Sequence, residues 1–390
     1  MHAKPQEQIK ISSSFLKQFF DIRAQYLSTM VTILIALFKE RTTNVQALSL
    51  VIQDTVQTAS VYKRLLRFVG KVRLDPQAVI TCIMTILQIT TQDQLILIMD
   101  RTYWTFGKSH QNFLYLAILY RGYAIPIDFV LCSNRKKGHC SFEDRQILLD
   151  RFITMFGVES IDYLTADREF MGGKWLRHLA SIGVRYVQRL KENGVMIQNK
   201  RGAYSKLADL AKDLKPGEMV RFGQRKICKK NTFIAHVTIL KTMTGDIVAL
   251  AHDESIADPC YSYRFRWCIE VVFRSMKSYG FNMEDSAITK TERLETVYRT
   301  VSIACACAVV VGEAVAAVQP ITLKKHGYKA ICIIKSGINH ILTFLSRHSS
   351  GNFLCLQTII CSSLSLFQNK ALHHHPPDQL KKISKTCPVD

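Results

Sequence analysis

No two of the twelve cysteines stand in a CxxC arrangement. That excludes the zinc-ribbon and dithiol redox motifs, which are built from such pairs. His139 beside Cys140 has no second pair at ligand spacing, and Cys305 with Cys307 lies in an apolar run, where thiols behave as small hydrophobes. Scattered free thiols fit a reducing compartment. Met1–Ile11 is polar and charged and lacks the apolar centre of a secretion signal. Proline and glycine are absent from residues 12–69, so nothing there interrupts helical periodicity. Acidic residues are scarce, 31 against 52 Lys plus Arg, which gives a formal charge of +21.

A chain of 390 residues that is 48% hydrophobic buries a sizeable core in two or three domains and is not disordered. Its basic balance is that of a polyanion binder, with nucleic acid ahead of an anionic membrane surface. Val301–Val318 is apolar, but Glu313 interrupts it and it is short for a span, so it is expected to be a buried helix and no membrane partner is expected.

Ser12–Leu87 reads as helical. Ala47–Ile52 and Ala59–Val69, separated by a polar break, suggest two short helices and a turn. The second places Lys63, Arg64 and Arg67 beside Val61, Leu65 and Phe68, which suits a helix-turn-helix laid on DNA or equally a helical bundle with a solvated basic face. From Gln94 the pattern changes. QLILIMD is a continuous apolar run ending at Asp100, as a buried strand would be. Phe113–Tyr120 and Tyr123–Leu131, joined by Arg121-Gly122, form a hairpin pattern, a helix follows over Phe142–Phe156, and Ile161–Ala166 is a second buried strand that hands over to Asp167. A helix at Trp175–Ile182 and a strand at Val184–Leu190 complete this part.

Residues 193–255 contain strand-like pieces at Thr232–Leu240 and Ile247–His252 and a basic cluster at Arg221, Arg225, Lys226, Lys229 and Lys230, which reads as a β-rich insertion whose charges track phosphates or are simply solvated. Asp258-Pro259 then starts a helix expected to run to Gly280. Tyr263, Arg266, Glu270 and Lys277 fall within an arc of roughly 60° on such a helix. Phe265, Ile269, Val272, Phe273 and Met276 form a separate apolar stripe. Helix is also expected over Arg293–Val318 and Tyr328–Leu345. The remainder, with His373–His375, reads as a disordered tail.

The spacing Y-x2-R-x3-E-x6-K at Tyr263, Arg266, Glu270 and Lys277 resembles the signature of insertion-sequence DDE transposases of the IS-four family. The text at Asp100-Arg101-Thr102-Tyr103-Trp104 and at Asp167-Arg168-Glu169-Phe170 resembles that family too, and the likeness extends over roughly residues 47–318. The resemblance implies an α/β fold: a ribonuclease H-like catalytic domain at 91–192 and 256–320, carrying the β-rich insertion at 193–255. An all-α N-terminal DNA-binding domain at 1–90 precedes it, and a C-terminal helical region and tail at 321–390 follow.

It makes Asp100, Asp167 and Glu270 the catalytic ligands of two divalent ions, Mg2+ or Mn2+, and Tyr263, Arg266 and Lys277 the phosphate contacts. Two hard cations about 3.5–4 Å apart, held by carboxylates, serve phosphodiester chemistry. The implied activity is cut-and-paste DNA transposition by a homodimer acting on terminal inverted repeats and target DNA in a bacterial cytoplasm, associated with the nucleoid. The alternatives are a ribonuclease H-like nuclease without strand transfer and a non-catalytic DNA-binding derivative. Family members flip a base onto an aromatic side chain. The insertion has no tryptophan, which leaves Phe222 or Phe233 for that role.

Overall fold

Unbroken helical periodicity near the start of the chain becomes helices α1 (Ala24–Glu40), α2 (Val45–Leu50), α3 (Thr58–Lys71) and α4 (Pro76–Leu87). The computed structural model describes residues 13–347 except 53–55, 107, 133–139, 193–194, 230–231 and 326–328. His139, Lys230 and the tail with His373–His375 therefore lie outside the described residues.

The apolar run after Gln94 forms the middle of a ten-stranded sheet. Strands β1 (Leu95–Phe106) and β2 (Ser109–Tyr120) are antiparallel, and β3 (Tyr123–Leu131) returns through Arg121 and Gly122 at φ 49° and 85°, the positive values a two-residue hairpin turn requires. Pro126 is tolerated because β3 is an edge strand. Helix α5 (Phe142–Phe156) starts in a capping box in which Ser141 and Asp144 each accept the other's backbone N–H, at 3.0 and 2.8 Å.

Strand β4 (Ile161–Ala166) then pairs in parallel with β1, and after α6 (Gly173–Ser181), β5 (Tyr186–Arg189) pairs in parallel with β4. The Asp128 side chain on β3 is fully buried and is held by two arginines, Arg151 of α5 and Arg299, each at 2.9 Å. Buried carboxylates persist only when paired in this way.

The segment expected as an insertion supplies β6 (Met196–Gln198), β7 (Tyr204–Lys206), α7 (Leu207–Ala211), β8 (Met219–Ile227), β9 (Phe233–Lys241) and β10 (Ile247–His252). It does not make a sheet of its own. β10 pairs antiparallel with β5 through Leu250 with Arg189 and His252 with Val187, so the order runs β3-β2-β1-β4-β5-β10-β9-β8-β6-β7 without a break. Arg221, Arg225 and Lys226 of the basic stretch lie on strand β8, whose exposed Arg221, Gln224 and Lys226 hid its period-2 pattern among polar residues.

One continuous helix was expected from Asp258 to Gly280. The structure has α8 (Pro259–Arg264), capped by Asp258 accepting the Tyr261 N–H at 2.9 Å, then α9 (Trp267–Arg274), then a π-helical turn over Ser275–Tyr279. The step between α8 and α9 is a local tightening in which the Arg266 and Cys268 N–H groups reach back only three residues, to Tyr263 and Phe265. At the far end the chain folds back so closely that a Cβ on Gly280 would lie 2.4 Å from the Ser275 carbonyl oxygen, which explains glycine there.

The apolar run Val301–Val318 belongs to α10 (Thr291–Val318), a helix long and apolar enough to cross a membrane but mostly buried here. It packs on α1, α3, α4, β3 and α11 (Ile333–Arg347). A helix that is apolar all round needs cover on every side. The N-terminal helices provide part of it, so the expected separate helical domain shares one continuous hydrophobic core with the sheet.

Candidate active site

Asp100, Asp167 and Glu270 come from three distant points in the chain and line one cleft of about 330 Å3, together with Arg101, Tyr103, Glu169, Arg266 and Phe273. Asp100 was expected at the end of its strand. β1 continues six residues beyond it, paired with β2 as far as Phe106 opposite Ser109. What ends at this level is the partner strand, since the β1–β4 ladder stops at Met99 opposite Ala166. Asp100 is thus the first residue of β1 with an open side, and Asp167 follows β4 directly. β5 supports that corner: the buried Gln188 amide donates to the carbonyl oxygens of Ala166 (3.0 Å) and Asp167 (2.5 Å).

Asp100 is 8% exposed. Burial pushes its carboxyl up to about 7, against the lowering effects of Arg266 and of the Arg101 N–H, which donates to its Oδ1 at 2.7 Å. Glu270 faces it from α9. Between the two stands Arg266, whose Nη2 donates to Glu270 Oε1 at 2.5 Å and whose Nη1 lies 3.6 Å from Asp100 Oδ2. Burial disfavours the guanidinium charge, and Tyr263, Asp100 and Glu270 together outweigh it, so Arg266 holds its proton more firmly than usual.

Tyr263, on α8, is 9% exposed and donates from its hydroxyl to Asp167 Oδ1 at 3.2 Å. Two residues expected on DNA phosphates are therefore turned inward here, onto the carboxylates. The break between α8 and α9 makes this possible by aiming Tyr263 at β4 and Arg266 at β1. Lys277 lies outside the cleft lining. Its ammonium donates to the Tyr103 carbonyl oxygen at 3.0 Å, pairs with Glu284 at 3.2 Å and sits 5.4 Å from the Trp104 ring centre.

The donor set is the oxygen-only kind that hard divalent cations prefer. A carboxylate as buried as Asp100 with one cationic neighbour at 3.6 Å is also short of positive charge. The chemistry fits such ions. The spacing in this structure is a different matter: among the described residues no group of three His, Cys, Asp or Glu side chains stands close enough to hold one ion, and Arg266 fills the gap between Asp100 and Glu270.

The remaining candidates lie elsewhere. Lys63 and Arg67 are exposed on α3 and Arg64 is half-buried. Lys226 is exposed on β8, while Arg225 is half-buried and donates to the Gln224 carbonyl oxygen at 2.7 Å. Phe233 is 2% exposed in the core and cannot receive a base, whereas Phe222 is half-buried at the irregularity in the β8–β9 register between Arg221 and Gly223. Arg101 and Glu169 also line the cleft, with no role expected for them from the sequence. Their positions one residue after Asp100 and two after Asp167 were the available signal.

No curated protein matches the chain. Among solved structures, a piggyBac transposase synaptic complex with hairpin DNA, determined by cryo-EM, is similar at 12% identity and a TM-score of 0.38, covering 99% of this chain and 86% of that one. Residues 91–304 match the family described as the Transposase DDE domain. That span runs from just before β1 into α10, includes Asp100, Asp167 and Glu270 and is more than half of the sequence, so this chain belongs to the DDE transposase family and is a DNA transposase.

Proposed function

We propose that this transposase is of the IS-four type and works on the terminal inverted repeats of its own element by cut-and-paste. In this reading Asp100, Asp167 and Glu270 hold two Mg2+ or Mn2+ ions. The observation that carries it is the convergence of these three carboxylates, from β1, the end of β4 and α9, on one cleft inside the family match. Bound there, the ions would activate a water or 3'-hydroxyl and stabilise the leaving oxygen.

The chain's own residues do the rest. Arg266 passes from Asp100 and Glu270 to a DNA phosphate, where its planar fork fixes orientation, while Lys277 adds affinity as a point charge. Tyr263 holds Asp167 and lies against the same strand of DNA. The first five strands, in the order β3-β2-β1-β4-β5 with β1, β4 and β5 parallel, support a ribonuclease H-like reading of the catalytic unit. Exposed Lys63 and Arg67 on α3 and Lys226 on β8 would follow phosphates outside the cleft. The active species would be a homodimer synapsing two element ends, in a bacterial cytoplasm.

The test uses the element's end sequences. Asp100→Ala and Glu270→Ala should abolish cleavage while leaving binding to those ends almost unchanged. Equal loss of binding in both variants would assign the carboxylates a structural role instead.

A further inference from the structure

We infer that Arg101 and Glu169 form a positioning pair that fixes the distance between Asp100 and Asp167. The inference rests on the reading of those two aspartates as cation ligands. The parallel ladder between β1 and β4 ends at Met99 opposite Ala166, one residue short of each carboxylate. Backbone pairing therefore does not set how far apart Asp100 and Asp167 stand. Immediately past the end of the ladder, the Arg101 guanidinium reaches across the gap. Its Nε donates to both Glu169 oxygens at 3.2 and 3.3 Å and its Nη2 to Oε2 at 2.9 Å. Its Nη1 donates to Asn112 Oδ1 on β2 at 3.1 Å, which anchors the fork to the sheet on the other side. One side chain thus ties β2, β1 and the turn after Asp167 together.

An exposed ion pair would contribute little. Glu169 is 31% exposed against 11% for the arginine side chain, so what this pair supplies is geometry: the guanidinium meets the carboxylate with two of its nitrogens. It also has an electrostatic effect. Glu169 lines the cleft together with the three candidate ligands. Pairing with Arg101 neutralises Glu169 and occupies both of its oxygens, so the cleft keeps three available carboxylates instead of four mutually repelling ones.

The test is Mn2+ binding to the full chain, followed by electron paramagnetic resonance with a random-sequence DNA duplex present. It compares Arg101→Gln, Glu169→Gln, Arg101→Lys and the double Gln variant, with circular dichroism melting alongside. Loss of a side chain that orients metal ligands typically weakens binding 10- to 100-fold, so about that loss is expected in each single Gln variant, with the melting point little changed. The double variant should lose no more than either single one, because the two act as a unit. Lysine, which lacks the fork, should recover only part of the affinity.

Wild-type affinity in the Gln variants, or losses that add in the double variant, would overturn the pair. So would a loss confined to Glu169→Gln, which would make Glu169 a direct ligand. Asp100→Asn and Asp167→Asn serve as controls. If these bind Mn2+ like the wild type, the carboxylate reading itself fails, whatever the pair does.

Discussion

At the scale of single residues, the site holds Asp100 and Arg266 out of water, with Asp167 and Glu270 half-buried beside them. Asp100 illustrates the consequence. Its carboxyl is raised from 3.8 to about 7, so the folded state binds a proton more tightly than the unfolded chain. The stabilisation from that proton is complete below about pH 4 and is lost as the pH rises through 7. Above 7 the buried charge works against the fold, by up to about 4 kcal/mol at 1.36 kcal/mol per pH unit. Asp100→Asn should therefore melt at a higher temperature than the wild type at pH 8 in EDTA, and the gap should narrow toward pH 5. No gain at pH 8 would mean that Arg266 already compensates the charge. Arg266 itself should behave in the opposite way. Arg266→Ala removes a buried guanidinium and exposes Asp100 and Glu270 to each other, so metal-free stability should fall by about 3–5 kcal/mol. Mn2+ should restore more of the melting temperature in that variant than it adds to the wild type, because the cation enters a gap the arginine has left. Equal Mn2+ shifts in the two proteins would contradict the idea that guanidinium and metal share one place.

At the scale of elements, the site depends on where regular structure stops. β4 ends where Asp167 begins, the α8–α9 step separates Tyr263 from Arg266, and the π turn at Ser275–Tyr279 sets where Lys277 emerges. Such local departures cluster at functional positions because they aim side chains that a regular helix or strand would direct elsewhere. The elements themselves are locked by charge as well as by packing. Asp128 joins β3 to α5 and α10 through Arg151 and Arg299. Asp128→Asn keeps the shape and leaves two arginines facing an uncharged amide. We expect a loss of about 3–5 kcal/mol in urea unfolding. A change below about 1 kcal/mol would show that water reaches the arginines once the carboxylate is gone.

At the scale of the whole molecule, α10 is the common support. It carries the apolar face of the sheet's edge strand on one side and the N-terminal helices on the other. The hydrophobic core runs through both without a gap. A fragment of residues 91–347 begins where the family match begins but strips the N-terminal helices from α10. It should show no cooperative thermal transition, whereas residues 13–347 should melt as one unit. A sharp melt of the shorter fragment would show that the N-terminal helices are a separate folding unit. The sheet makes the same point: the β-rich segment continues the catalytic sheet through β10 and β5, so exposed Arg221 and Lys226 stand on an extension of the strands that carry the cleft.

The sequence alone determined the elements with strong local signals. Continuous apolar runs gave β1 and β4, the Arg121-Gly122 pair gave the hairpin, and caps such as Asp258-Pro259 gave helix starts. These depend on neighbours within a few residues. The family resemblance carried by Asp100, Asp167 and the Tyr263-to-Lys277 stripe also marked Asp100, Asp167, Arg266 and Glu270, which line the cleft, whereas Lys277 stands outside it. The tertiary structure decided what those side chains touch. That Arg266 lies between two carboxylates, that Arg101 grips Glu169 and that one sheet spans ten strands all follow from contacts between residues far apart in the chain. Local periodicity carries no information about such partners, because burial and pairing are set only when the whole core assembles.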